Sequence, residues 1–574
     1  MTLSNFPKWG LNISLLIILT ISSLILLACG PSATETTSPD ESKASKPSAK
    51  AAGVQATSIP EPTVAPESGV SQGRDDVIIV LDDEPPGLNI YHHSQGGRIH
   101  RENLNDPLGW FDKDDRELVA LSPFTGWELI GLDTWHISLR EGVKFHNGEP
   151  WNGDTAAWNF TNASGNRDIG SNSSAGYTGT HKGEKVDDLT VKVICDNPCP
   201  IFIKTATVMG ALAPEWYENN PVDVTTRDNV GLGPYRLVKW DPGIAITAEA
   251  YPDYVPNPDV EEAQFPIIQN VKWVWRGEAT IRSAMIQTGE ADLAYRLGLA
   301  DKDSVPVFQS SSRGTTNFIL FDTVWNPLLQ KKAMRQALAH GWDCQEVVDV
   351  LLGGSTSCRS NIAFPGVLGI TDRNVEPYDY NPSLVREKLK EADYQGEEIR
   401  LISRPVNWPN QQELYESIVS YWQDLGINVS LTLPEMSVRN SIRDCGIGLV
   451  SPEITEERWL ITGEPTTCDH ADMIETNKNM DSKDFARFLN DVLSCESNRS
   501  RICDPKMEDL RTRGMGAVGE ERKQILESIG DMIHDEYLIM GLFDITANFG
   551  KVEELNWEPR GFDDRIRVSV MSWK

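Results

Sequence analysis

Catalytic chemistry shows in a sequence as reactive residues at fixed spacing, and the strongly diagnostic arrangements are missing here. There is no GxSxG nucleophile elbow, no HExxH zinc helix, no P-loop and no EF-hand loop. Nine histidines are scattered, and the tightest group, His92, His93 and His100 in IYHHSQGGRIH, reads as hydrogen-bonding loop residues rather than a metal site. With 84 acidic residues, a pair of carboxylates suited to glycosidase work carries no information. The acidic run DKDDRE (112–117) lacks the alternating ligands and the glycine of a cation loop, and reads as a solvated hairpin turn. Neither a metal nor a cofactor is expected. Aromatic stacking is the chemistry on offer: of 17 tryptophans, Trp325, Trp408 and Trp459 stand in loop-like contexts where they could stack on a ligand, core or lobe packing being the alternative for each.

Any such residues need a scaffold, and the periodicity changes along the chain. DVIIVL (76–81) reads as a buried strand. DTWHISLREGVKFHNG alternates with Trp135, Ile137 and Leu139 on one face, and predicts a hairpin whose second strand holds Val143 and Phe145. LTVKVIC (189–195) and VKWVWR (271–276) alternate likewise, so this half is strand-rich. After about residue 279 the period becomes helical. EATIRSAMIQTGEADLAYRL predicts a helix stopped at Gly289 and then a strand, and NPLLQKKAMRQALAHG a helix capped by Asn326 with Pro327 at its first position. DCQEVVDVLLGG predicts a helix with Val347, Val350 and Leu351 on one face, and Asn381-Pro382 opens another. In QQELYESIVSYWQDLGINVSLTL, Leu414, Ile418, Trp422 and Leu425 follow helical spacing, Gly426 ends the helix, and alternation resumes, which is an α/β layer unit.

The N-terminal stretch is of another kind. Lys8 precedes an uncharged apolar run that ends Leu26-Leu27-Ala28-Cys29, a secretory signal that resembles the bacterial lipobox, with Cys29 as the lipidated residue and Leu27 larger than usual; a retained transmembrane helix is the alternative. Residues 1–29 are thus read as a lipoprotein signal peptide. Residues 30–74, rich in Ser, Thr, Pro and Ala, cannot bury enough to offset their ordering entropy, and form a disordered tether reaching roughly 35 to 40 Å. Everything after residue 30 is expected outside the cytoplasm. The remaining body of about 500 residues implies two or more domains. Beyond Cys29, the eight cysteines Cys195, Cys199, Cys344, Cys358, Cys445, Cys468, Cys495 and Cys503 are even in number and exported, which favours disulfides; sequence neighbours are the expected pairs, Cys195 with Cys199 and Cys344 with Cys358 first. The formal net charge of -31 argues against nucleic acid and anionic membrane surfaces as partners.

The segment 105–160, with Leu139-Arg140-Glu141-Gly142-Val143-Lys144-Phe145-His146-Asn147-Gly148 at its centre, resembles the signature of the family 5 extracellular solute-binding proteins, the oligopeptide, dipeptide and nickel receptors of ABC importers. GLGPYRLVKWDPG (231–243), AMIQTGEADLA, KKAMRQALAHGWDCQEVVDVLLGG, YDYNPSLVREKLKEADY and IHDEYLIMGLF follow in family order, so the resemblance spans 76–574. It implies an α/β fold, the bilobal periplasmic-binding-protein-like clamp (type II, large three-domain form), with the ligand between lobes joined by two strand-like crossovers. Lobe 1 would span 75–300 with a subdomain at about 108–188, lobe 2 would span 301–545, and 546–574 would return to lobe 1. It also implies a receptor and not an enzyme: a monomer, lipid-anchored on the outer face of the cytoplasmic membrane, that captures a peptide-like or other organic solute and delivers it to ABC permease subunits. A secreted glycoside or peptide hydrolase and a sensor without a permease are the rival readings.

For ligand contacts the resemblance implies Arg404, in the stretch Arg404-Pro405-Val406-Asn407-Trp408, as a guanidinium fork for a ligand carboxylate, with a surface ion pair as the alternative. Ser94 and Gln95 fall where the family's first pocket loop lies. The family's GW..D.pDP loop, which carries an aspartate for the peptide amine in dipeptide receptors, is expected near 445–470, where this chain reads CGIGLVSPEITEERWLITGEPTTCDH. That motif is absent here, which argues against a standard dipeptide ligand, while a longer peptide, an oligosaccharide stacked on tryptophan and another organic solute stay open.

Overall fold

The computed structural model describes residues 74–91, 99–107, 109–111, 118–163, 180–205, 209–404, 410–445, 469, 471–480, 482–560 and 564–574. The described residues open with β1 (Asp76–Leu81), in which Val77, Ile79, Val80 and Leu81 are buried and Asp76 and Ile78 half-buried, so both faces of the strand are largely covered. A ribbon, β2 (Gly109–Phe111) with β3 (Leu118–Ala120), brackets the acidic run 112–117, itself outside the described residues. β4 (Phe124–Gly131), β5 (Thr134–Leu139), β6 (His181–Asp187) and β7 (Thr190–Cys195) make an antiparallel sheet in the order β4-β5-β7-β6. Trp135, Ile137 and Leu139 are buried as their alternation predicts. Their strand pairs with β4 and β7, however, and not with 143–145. The positive φ of Gly142 and Gly148 turns that segment into a small loop closed by a bridge between Lys144 and Pro150.

β8 (Tyr235–Asp241), β9 (Ala245–Ala250), β10 (Asn270–Trp275) and β11 (Leu293–Tyr295) extend the sheet of β1, and β12 (Val307–Phe321) leaves it. β13 (Ile399–Ile402), β14 (Val429–Thr432) and β15 (Met473–Asn479) build the second half, and β16 (Ile539–Lys551) returns to the first, where β17 (Leu555–Asn556) pairs with β18 (Ser572–Trp573). The result is one ten-stranded mixed sheet in the order β14-β13-β15-β12-β16-β11-β1-β10-β9-β8. β15 borders β12 only from Thr315 onward, and β11 borders β16 only from Phe549 onward. Between them Ser310, Ser311 and Ser312 pair with Asn548, Ala547 and Thr546, so the sheet narrows there to two strands. A register slip between Ser312 and Thr315, with Gly314 at φ 61°, adjoins this waist.

In the second half, alternate residues of β12 enter different cores. Ile319 and Phe321 join Leu414, Ile418 and Trp422, whereas Phe318 and Leu320 join Ile474, Phe488 and Ile529. The helix Gln411–Asp424 ends before Gly426 at φ 85° and is followed by β14, as the α/β unit predicted. The helix Ala279–Gln287 likewise stops before Gly289. Asn326, Asn381 and Asp343 cap their helices through side-chain oxygens. Two further expectations are corrected. The helix after Asn326 is broken into Pro327–Gln330 and Lys332–Ala339 by an extended Lys331, and the buried Arg335 guanidinium donates to the Leu329 and Gln330 carbonyls that the break leaves open. In the helix Cys344–Leu352 the buried face is Val347, Val348 and Leu352, while Val350 is 74% exposed. Disulfides join Cys195 to Cys199, Cys344 to Cys358 and Cys495 to Cys503. Cys445 is disulfide-bonded as well, and its expected partner Cys468 lies outside the described residues. Among the described residues, no helix is long and apolar enough to cross a membrane.

Candidate functional site

Arg404 stands just beyond the end of β13, and the strand beside it delivers its partner. β15 puts Glu475 in the sheet interior, fully buried, two positions from Asn477, which faces Asn317 across the β12–β15 ladder. Arg404 Nε and Nη2 donate to the two Glu475 carboxylate oxygens at 3.1 and 2.9 Å, a bidentate side-on pair. Arg439, on the helix Met436–Arg443, donates through Nη2 to the Glu475 carbonyl oxygen and lies 3.7 Å from its carboxylate. Asn317 Nδ2 donates to the Tyr415 hydroxyl at 2.9 Å on the same side.

Two guanidiniums around one carboxylate leave this buried group with one net positive charge. Burial, aided by the neighbouring Arg404 charge and opposed by Glu475, brings Arg439 down to about 10, so it stays cationic at neutral pH. Burial and the Glu475 charge push the Tyr415 phenol well above its ordinary value, keeping it neutral. Arg439 Nε, Asn477 Nδ2 and the Asn317 and Gln411 side-chain oxygens are buried without a hydrogen-bond partner among the described residues. The two donors, Arg439 Nε and Asn477 Nδ2, beside an excess positive charge suit an anionic group, while the two amide oxygens call for a hydrogen-bond donor. The Arg404 side chain is 12% exposed, against 2% for Arg439.

Of the other residues singled out from sequence, Trp325 is half-buried. It packs against the cluster of Val324, Cys495 and Cys503, and its backbone N–H donates to Asp322 at 2.9 Å. Ser94, Gln95, Asn407, Trp408 and Trp459 lie outside the described residues. Sequence reasoning missed Glu475, Arg439, Asn317 and Tyr415. The one readable signal was Glu475 itself, a lone carboxylate after Met473 and Ile474 in a strand; Arg439, in MSVRNSIR, looks like any surface arginine.

Residues 123–450 match the sequence profile of the bacterial extracellular solute-binding proteins, family 5. The glutathione-binding protein GsiB of Pectobacterium atrosepticum is 25% identical over 397 residues, covering 68% of this chain and 73% of that one. The Salmonella typhi GsiB is 26% identical over 315 residues, covering 53% and 59%. Among solved structures, the ABC transporter substrate-binding protein CtaP of Listeria monocytogenes superimposes with a TM-score of 0.73 at 18% identity, covering 88% of this chain and all of that one. A dipeptide-binding protein from a Pseudoalteromonas species, in complex with Met-Leu, gives 0.68 at 19% identity, covering 87% and 100%. These likenesses share the bilobal α/β clamp, and the family is one of binding proteins rather than enzymes. The profile match covers more than half of the chain, and the chain belongs to the family 5 bacterial extracellular solute-binding proteins.

Proposed function

We propose that this protein captures a small peptide or peptide-like solute between two lobes and presents it to the permease of an ABC importer. The observation that carries this is the waist: a ten-stranded sheet joined by only two strands at Ser310–Ser312 and Thr546–Asn548 can bend there without breaking either half. Placing the hinge at that point puts the lobes near 75–310 with 548–574 and near 311–547, the first boundary about ten residues beyond the 300/301 expected from the family resemblance. Arg404 offers its outer edge to an anionic group of the solute, with Asn407, Trp408, Trp459, Trp325, Ser94 and Gln95 as further lining. Glutathione and dipeptide ligands among similar proteins support the peptide class. The Cys29 lipid anchor and the 30–74 tether would keep the receptor beside its permease, with the folded part acting as a monomer.

The test is to purify residues 75–574 without added solute, denature them, and identify released small molecules by mass spectrometry. Recovery of a stoichiometric, intact peptide is the expected result. If nothing is released, reduced glutathione and Met-Leu are added at rising concentration; a true ligand at a hundred times its Kd stabilises the fold by about 2.7 kcal/mol. No stabilisation by any peptide, together with hydrolysis of the probe, would refute the receptor reading. For the anchor, C29S is expected to move the protein from the membrane fraction to the soluble one.

A further inference from the structure

The segment after the Cys195–Cys199 disulfide contains two isoleucines two positions apart that enter different cores. Cys195 and Cys199 donate backbone N–H groups to Asp133 and Leu132, which pins the loop to the β4–β5 turn. Phe202 and Ile203 then pack into the apolar cluster of that same four-stranded sheet, with Val193 and Phe160. Ile201 does not. It is 7% exposed and belongs to the cluster of Phe318, Ile474, Phe485 and Phe488, whose other buried members all lie after residue 317, in the second half of the chain. Beside it, Lys204 Nζ stands 3.8 Å from the Asp484 carboxylate, which is itself held by Arg522 at 2.5 and 2.8 Å. Lys483 Nζ sits 5.0 Å over the Phe111 ring of β2, a further contact between the first half of the chain and the second.

We propose that Ile201, supported by Lys204, is a latch residue: its insertion into the opposite half stabilises the closed form and so sets the affinity for solute. This rests on the hinge-closure reading above. An apolar side chain buried only when the halves meet adds its burial free energy to closure and not to the folding of either half.

Ile203 supplies the control, since it has the same chemistry two residues away within its own half. I201A and I203A are made in the full chain and compared by small-angle scattering without solute, by thermal unfolding, and by titration with reduced glutathione and with Met-Leu. The expected result for I201A is a larger radius of gyration, binding weaker by about 30-fold or more, and an unfolding midpoint near that of the unaltered protein. For I203A a lowered midpoint with unchanged radius and affinity is expected. If I201A lowers the midpoint as I203A does and leaves the radius of gyration unchanged, Ile201 is an ordinary core residue and the latch is refuted. If neither probe binds the unaltered protein, the peptide assignment fails while the scattering comparison still decides on the latch.

Discussion

Replacing Glu475 by alanine removes the carboxylate that two arginines face and leaves both guanidiniums in place. Arg439 has a 2% exposed side chain and cannot reach water, whereas Arg404, at 12%, recovers part of its hydration. Breaking a buried pair by deleting one partner costs about 3–5 kcal/mol, because the remaining charge stays buried without compensation. The partial exposure of Arg404 puts E475A toward the lower end, about 3 kcal/mol. Guanidinium chloride would screen the effect, so the assay is urea unfolding at neutral pH and low salt, following the transition of the half that contains β15. Two further outcomes follow from the charge argument. Adding Arg439→Met to E475A returns stability relative to E475A alone, since the trapped charge is gone. Sodium formate, small enough to enter the vacated space, raises the E475A midpoint and leaves that of the unaltered protein unmoved. An E475A midpoint equal to the original would refute the reasoning, and so would an equal response of both proteins to formate.

Removing the Cys344–Cys358 bridge, which closes a sequence separation of 14, with Ala at both positions is expected to cost about 3 kcal/mol, checked by comparing urea unfolding of the variant and the unaltered protein without reductant. Burial pushes the Asp322 carboxyl up to about 6 against partial opposition from Arg501, so the folded state holds its proton more tightly than the unfolded chain, and the stability this gives below about pH 4 is lost as pH rises through 6. D322N, which keeps an acceptor for the Val324 and Trp325 N–H groups, is therefore expected to gain about 3 kcal/mol on the unaltered protein between pH 4 and 7. His146, brought down to about 4 by burial, acts with the opposite sign over that range, so the difference between the two pH curves, not either alone, is the quantity to measure.

Much of the fold was legible because local physics decided it. Asn-Pro caps, glycines at positive φ and the alternation of Trp135, Ile137 and Leu139 each fix backbone geometry within a few residues. What failed was non-local. The alternation placed a strand at 134–139 but could not say that β7, more than fifty residues later, would take the place of the 143–145 segment. The helix after Asn326 had an unbroken pattern, yet the Arg335 guanidinium satisfies the Leu329 and Gln330 carbonyls left open by the break at Lys331, a choice that helical periodicity does not encode. The site was less legible still. Arg404 came from motif resemblance, but its partner Glu475 lies 71 residues away and is brought to it by strand order. Nothing in the spacing of either residue announces the pair.

The waist and the latch differ in the kind of contact they use, and this difference is what a two-state receptor needs. At the waist the side-chain links are polar: Ser310 donates to the Asn548 side chain at 2.8 Å, Ser311 to the Arg560 carbonyl, and Ser355 meets Thr546 at 3.4 Å. Such bonds exchange with water at a net cost of only about 1 kcal/mol each, so bending there is inexpensive and favours neither form strongly. The register slip beside Gly314 removes the ladder regularity that would otherwise stiffen the pair. Ile201, by contrast, gains from burial alone and only when the halves meet. A soft polar hinge with an apolar latch gives an equilibrium that a solute of modest affinity can tip, because the latch supplies part of the closing free energy in advance. If the latch were strong enough to close the empty protein fully, solute could not enter. The empty receptor is therefore expected to hold a measurable open fraction that added ligand depletes, which scattering on solute-free and solute-loaded protein would detect.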